Sequence, residues 1–232
     1  MCSHYEAEKD RNTLKTQFKV SEIPEEFKTD LWPGYMGLFV RNHAEDAAVD
    51  DTTPDLEILA GSFGLIPHWA NDTKIARNTY NARSETVAEK PSYRDSWKSA
   101  QRCIIPAAAF YEPDWRTGKA IPTRISRLDG KPMGIAGIWS EWKTPKGDTL
   151  HSYSMLTIKA DSHPLMRNLH KPTDEKRMVV ILPEDHYDDW LNVSNEECRV
   201  MLKEYPAELL TAEAAPPRRK NQPVDRQADL LG

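Results

Sequence analysis

The feature that most constrains this chain is a block of five apolar runs in its middle, each short and each broken by turn residues. They are Arg102 to Tyr111, Ile121 to Leu128, Met133 to Trp142, Ser152 to Lys159 and Arg177 to Leu182. The first three connections between them are too short for the crossover of a parallel sheet, and the runs do not alternate with helical patterns as βαβ units do. Their spacing predicts a curved, mainly antiparallel sheet or barrel-like core flanked by helices, an α+β fold in a single domain.

Helical signals lie outside this block. A helix is expected around Asp10 to Phe18. A second is expected over Ser92 to Gln101, where Pro91 and Ser92 mark the start and Tyr93, Trp97 and Ala100 share a face. Ser194 and Glu197 have the spacing of a capping box for a helix carrying Val200, Met201 and Tyr205. Leu56 to Pro67 reads as a strand ending in a turn at Gly61, Gly64 and Pro67. Asp46 to Asp55 is acidic, poor in apolar residues and expected to be an exposed loop. The domain is expected over 1–206. After Pro206 the chain becomes polar and Pro-rich, and 207–232 is expected to be a disordered tail.

At 232 residues the chain can bury a sizeable core. No apolar run approaches the ~18 residues of a membrane span, and no signal peptide opens the sequence. Three widely spaced cysteines, Cys2, Cys103 and Cys198, suit a reducing cytoplasm better than a disulfide framework. No spaced Cys/His cluster, P-loop or dinucleotide fingerprint is present, so neither a metal nor a cofactor is expected. The net charge of −5 gives no bulk attraction to nucleic acid, and any such site must be a local basic groove.

Cys2 is the residue with the most distinctive chemistry. Removal of Met1, usual before a small second residue, leaves an α-amine beside a thiol. That 1,2-aminothiol can capture an aldehyde, first as an imine and then as a five-membered thiazolidine, and ring closure is intramolecular. The alternative is a chain end that frays without function. Four further segments carry candidate groups. In Tyr80-Asn81-Ala82-Arg83-Ser84-Glu85-Thr86, Arg83 can bind a phosphate and Asn81 can orient a hydroxyl or carbonyl, unless the stretch is a solvated loop with a surface ion pair. In Phe110-Tyr111-Glu112-Pro113, a carboxylate set among Phe110, Tyr111 and Trp115 is partly desolvated and usable as a proton shuttle, unless it points to water. His170 can relay protons near neutral pH, with His163 as its rival and a structural role as the alternative for either. Trp69, in a Gly/Pro-bounded turn, can stack on an unpaired base or serve only in packing.

Taken in order, Met1-Cys2, Gly64 to Ala70, Asn81 to Thr86, Arg102 through Glu112, and His170 ahead of Arg177 to Leu182 resemble the SRAP family, the SOS-response-associated peptidases. The resemblance runs from Cys2 to about Leu191. It implies the SRAP fold and a protein that crosslinks abasic sites in single-stranded DNA through a thiazolidine at Cys2, protects them during the damage response, and removes its own Met1. It assigns Cys2 as nucleophile, Asn81 to hold the sugar and the cysteine, and Glu112 and His170 to move protons. Arg83 is implied to grip a phosphate and Trp69 to stack beside the lesion. A minor lyase activity is implied as well. The chain departs from the family at Ser3 and His4, where Gly and Arg are usual, so His4 replaces that DNA contact only in part. It departs again at Pro113. A monomer, cytoplasmic and nucleoid-associated when engaged on DNA, is expected. Two other readings are an N-terminal-nucleophile amidohydrolase, for which the usual Arg-Gly-Pro segment is missing, and a non-catalytic single-strand-binding module using Trp69 and Arg83.

Overall fold

The structure is a computed structural model that describes residues 2–43 and 56–215. Its strands, in chain order, are β1 Tyr5–Ala7, β2 Asp30–Leu31, β3 Met36–Asn42, β4 Leu56–Phe63, β5 Asn81–Arg83 and β6 Arg102–Asp114. They continue with β7 Ile121–Arg127, β8 Met133–Lys143, β9 Thr149–Lys159, β10 Arg177–Val179, β11 Ile181–Leu182 and β12 Leu210–Ala214. Five of them close on themselves: β6 pairs with β8, β8 with β9, β9 with β4, β4 with β3, and β3 returns to β6 through Val40 and Ile104. This is the expected antiparallel barrel with few helices. Two pairings are parallel, β4 and β5 each against β9.

The five runs read from the sequence correspond to β6, β7, β8, β9 and the β10–β11 pair. Strand β6 is the backbone of the fold. Its 13 residues are long enough to pair with β8 at one end and β7 at the other, while β1 adds along the outside with Tyr5 opposite Phe110. Inside the ring, Tyr5, Phe39, Phe63 and Tyr153 are fully buried and pack ring against ring. Such pairs contribute beyond simple area burial.

Helix α1, Arg11–Phe18, matches the expectation. Asp10 caps it by accepting from the Thr13 amide at 2.7 Å, and Leu14 and Phe18 are its buried face. Helix α2 is shorter than expected, Arg94–Lys98 instead of Ser92 to Gln101. Ala100 has φ 50° and is exposed, because the chain must reverse there to enter β6 two residues later. Ser194 and Glu197 do form a reciprocal box, at 3.0 and 3.2 Å, but it starts a 3-10 turn over Glu197–Met201. Val200 faces solvent there, and Tyr205 lies beyond the turn. Helix α3 spans Tyr187–Asn192.

The sheet also continues past residue 206. Strand β12 pairs with β7 over Leu210–Ala214, and the Ala215 amide bonds the Pro122 carbonyl, so the segment read as a tail begins with a strand. Leu210, opposite Arg127, is the buried side chain of the strand, and Ala212, opposite Ile125, is exposed, so little in its composition marks it. The rest of that segment, and the Asp46 to Asp55 loop, fall outside the described residues. No helix among the described residues is long and apolar enough to cross a membrane.

Candidate functional site

The site is built around the seam between β1 and β6. With Tyr5 opposite Phe110 in antiparallel register, the residues before Tyr5 run alongside 111–113. The His4 carbonyl accepts the Tyr111 amide at 3.0 Å and also the Cys2 thiol at 3.3 Å. Cys2 is therefore pinned at the end of the same strand that carries Glu112, and it is 2% exposed. Burial, reinforced by the negative charge of Glu112, pushes its thiol up to about 12. In this state Cys2 is a neutral thiol at neutral pH.

Asn81 approaches from another element. It opens β5, which lies parallel to β9, and its side-chain amide donates to the Cys2 carbonyl at 2.7 Å. The approach depends on Gly64. With φ at +118°, it makes the bend after β4, and a Cβ there would meet the Ala76 carbonyl oxygen at 2.0 Å. Tyr93 steadies Asn81 from behind by donating to its carbonyl at 3.0 Å. The Asn81 Oδ1 is buried with no hydrogen-bond partner among the described residues.

His170 completes the group. Its Nε2 stands 2.9 Å from Glu112 Oε2, with both side chains almost fully buried. The contact is an ion-pair distance without hydrogen-bond alignment, and neither ring nitrogen has an aligned partner among the described residues. The placement is set by backbone: His170 adopts φ 63°, and its amide donates to the Pro113 carbonyl at 2.8 Å. The acceptor that seats His170 is thus the main-chain carbonyl of residue 113, which does not depend on the side chain there. Its rival His163 is structural: Nδ1 accepts from the Leu165 and Met166 amides and Nε2 reaches the Tyr205 carbonyl at 2.8 Å.

The expected DNA contacts are less uniform. Arg83 ends β5, half exposed, and pairs with Glu175 at 3.1 Å. Trp69 is 47% exposed on the turn where the Ala70 amide bonds the Pro67 carbonyl. The His4 ring is covered on both faces, by Trp32 at 4.3 Å and Tyr111 at 4.1 Å, and its Nε2 bonds Asp30. It leaves only an edge for a ligand. Glu6, Arg124 and Tyr80, which had no role in the sequence reading, belong here. Tyr111 bonds Glu6, which Arg124 holds at 2.9 Å. The half-buried Tyr80 hydroxyl is raised by burial and by the nearby charges of Cys2 and Glu112. Tyr80 precedes Asn81, and that adjacency was the available signal. No group of His, Cys, Asp and Glu able to hold a metal is present among the described residues.

A profile of the SOS response associated peptidase (SRAP) family matches residues 1–218. The chain belongs to the SRAP family. Among related SRAP proteins, the abasic site processing protein YoaM of Bacillus subtilis is 35% identical over 175 residues, which is 73% of this chain and 72% of that protein. The abasic site processing protein YoqW of the same organism is 38% identical over 156 residues, 65% of each chain, so the match spans just under two thirds of that relative's length. A crystal structure of a Bordetella bronchiseptica protein superposes with a TM-score of 0.82 at 44% identity, covering 93% of this chain and all of the other. A Bacteroides thetaiotaomicron structure at 22% identity and TM-score 0.78 shares the fold.

Proposed function

We propose that this SRAP protein processes abasic sites in single-stranded DNA by capturing their aldehyde at Cys2. The observation that carries the reading is the convergence on one buried cysteine, Cys2 just ahead of β1, of Asn81 from β5 and of the Glu112–His170 pair from β6 and the loop after β9. Relatives named for abasic site processing support it.

While Met1 is attached, the Cys2 nitrogen is an amide and cannot form an imine. Its removal, for which Cys2 itself is the nucleophile in this reading, exposes the amine. The amine adds to the open-chain aldehyde, and the carbinolamine loses water to give an imine. The Cys2 sulfur then adds to the imine carbon while the thiol proton passes to the imine nitrogen. One C–N and one C–S bond form, and one water leaves. The sugar is otherwise a hemiacetal, so a proton shuttle raises the open-chain fraction, and the Glu112–His170 pair is placed for that work. The unpartnered Asn81 Oδ1 suits a sugar hydroxyl. Arg83 and Trp69 would contact phosphate and base. The thiazolidine diverts the imine from β-elimination and so protects the strand. If the thiol is lost, the remaining amine allows slow lyase cleavage. A monomeric protein, cytoplasmic and on the nucleoid when engaged during an SOS-type response, is consistent with this reading.

The test is intact-mass spectrometry after incubation with an oligonucleotide bearing a single abasic site. The expected product is the chain lacking Met1 plus the oligonucleotide less one water, absent for Cys2→Ala. Glutamine hydrolysis with no DNA adduct would instead identify an amidohydrolase. Equal, Cys2-independent binding of intact and abasic strands would leave only a binding module.

A further inference from the structure

Glu175 bridges two arginines of different character. One carboxylate oxygen lies 3.1 Å from the half-exposed Arg83 guanidinium and the other 3.1 Å from Arg177, which is buried. Arg177 has further acceptors in Glu85 at 2.8 Å and in the Thr157 hydroxyl and carbonyl, so its charge is compensated without Glu175. For Arg83, Glu175 is the carboxylate in contact among the described residues. To a guanidinium, a carboxylate and a phosphodiester present the same feature, a pair of anionic oxygens at matching spacing. The loop bearing Glu175 is also tied down. The Asp174 amide bonds the Lys171 carbonyl, and the Lys176 ammonium donates to the carbonyls of Lys171 at 2.8 Å and His170 at 3.2 Å.

We propose that Glu175 is a built-in competitor for the DNA phosphate at Arg83, a residue that sets specificity by weakening binding to intact strands. The proposal rests on the reading of Arg83 as a phosphate contact. A strand must displace Glu175 before Arg83 can grip it, which lowers non-covalent affinity equally for intact and abasic DNA. Only the abasic strand recovers the loss, because its aldehyde is then trapped covalently. Discrimination is thereby shifted from the electrostatic step, which reads no lesion, to the chemical step, which does. The overall charge of −5 acts in the same direction, but Glu175 acts at the contact itself.

The test is a double-mutant cycle on affinity for an undamaged single-stranded oligonucleotide, read by fluorescence anisotropy. The proteins are the wild type, Glu175→Gln, Arg83→Gln and the double variant. Asp174→Asn is the control, because it makes the same charge change one residue away from an exposed carboxylate that contacts Thr173 and not Arg83. Glu175→Gln is expected to bind about three- to five-fold more tightly than Asp174→Asn, as an exposed ion pair allows. That gain should vanish when Arg83 is already Gln. An equal gain from Asp174→Asn, or one that persists without Arg83, overturns the competitor role alone. Unchanged binding by Arg83→Gln overturns it together with the phosphate role of Arg83. Melting curves establish that each variant is folded. If Glu175→Gln is not, Glu175→Asp, which keeps a carboxylate for Arg177 but shortens the reach to Arg83, takes its place, and wild-type affinity there counts against the proposal.

Discussion

The Asn81 side-chain amide donates to the main-chain carbonyl of Cys2 at 2.7 Å across a sequence separation of 79 residues. This bond fixes the backbone of the residue proposed to react, so it would orient sulfur and nitrogen together. Asn81→Ala is expected to slow adduct formation about 2- to 10-fold, the range for losing one net hydrogen bond. Asn81→Asp, which replaces a donor by an acceptor facing that carbonyl, should be slower still. Gel-resolved single-turnover crosslinking rates check both, and an Asp variant as fast as the wild type would contradict the contact.

Glu112 and His170 form a buried pair at 2.9 Å. Removing either takes a close contact from the other in a desolvated place, so activity and stability should fall together. Glu112→Gln and His170→Ala are each expected to reduce the crosslinking rate by about 100-fold, the lower range for proton transfer by a positioned side chain. The double variant should be little worse than either single one, because the groups act as a unit. Independent, multiplicative losses would show that they serve separate steps.

The Cys2 thiol is pushed up to about 12 by burial and by the Glu112 charge, against an ordinary value of 9.0. The sign of the linkage follows. Between pH 9 and about 12 the unfolded chain has released this proton and the folded chain has not, so stability is complete below pH 9 and declines as pH rises through that window. Thermal melts at pH 8 and at pH 10 should show a smaller alkaline loss for Cys2→Ala than for the wild type. Alkylation of the native thiol should be slow at neutral pH and still climbing at pH 10.

Arg102 opens β6 and holds the C-terminal region to it. Its guanidinium donates to the carbonyls of Trp190, at 2.5 Å, and Val193, and to the Asn195 side chain at 2.7 Å. Arg102→Leu leaves those acceptors unsatisfied and is expected to cost on the order of 3 kcal/mol, a fall of roughly 6–12 °C in melting temperature for a chain of this size. Crosslinking at low temperature should be nearly unchanged, which separates this role from that of the site residues.

Of the five barrel strands, β4, β6, β8 and β9 were legible because their apolar residues sit in short runs between turns, whereas β3, Met36–Asn42, was not read as a strand. Strand β5 was not, because Asn81 and Arg83 are polar and the segment pairs with β9 over three residues alone. Candidate residues could be named from the sequence through its resemblance to a family, but their assembly could not. The order of Cys2, Asn81, Glu112 and His170 along the chain says nothing of the β1–β6 register that brings the first and third together. His163 and His170 looked alike in sequence, and they differ only in what their ring nitrogens meet. Arg102 reads as an ordinary strand-start charge until the loop after α3 is seen to fold over it.

Strand β12 gives the sharpest test of where the domain ends. It pairs with β7 over five residues, and β7 in turn pairs with β6 at Glu112, opposite Thr123. A chain ending at Pro206 would strip β12 and leave β7 as an open edge beside the catalytic strand, with the Leu210 side chain lost from the core. A chain ending at Ala215 keeps every pairing of β12. The shorter form is therefore expected to melt lower, to aggregate more readily and to crosslink more slowly, through a loosened Glu112, whereas the longer form should match the intact protein in both melting temperature and rate. Equal behaviour of the two truncations would show that β12 is a passive addition to the sheet.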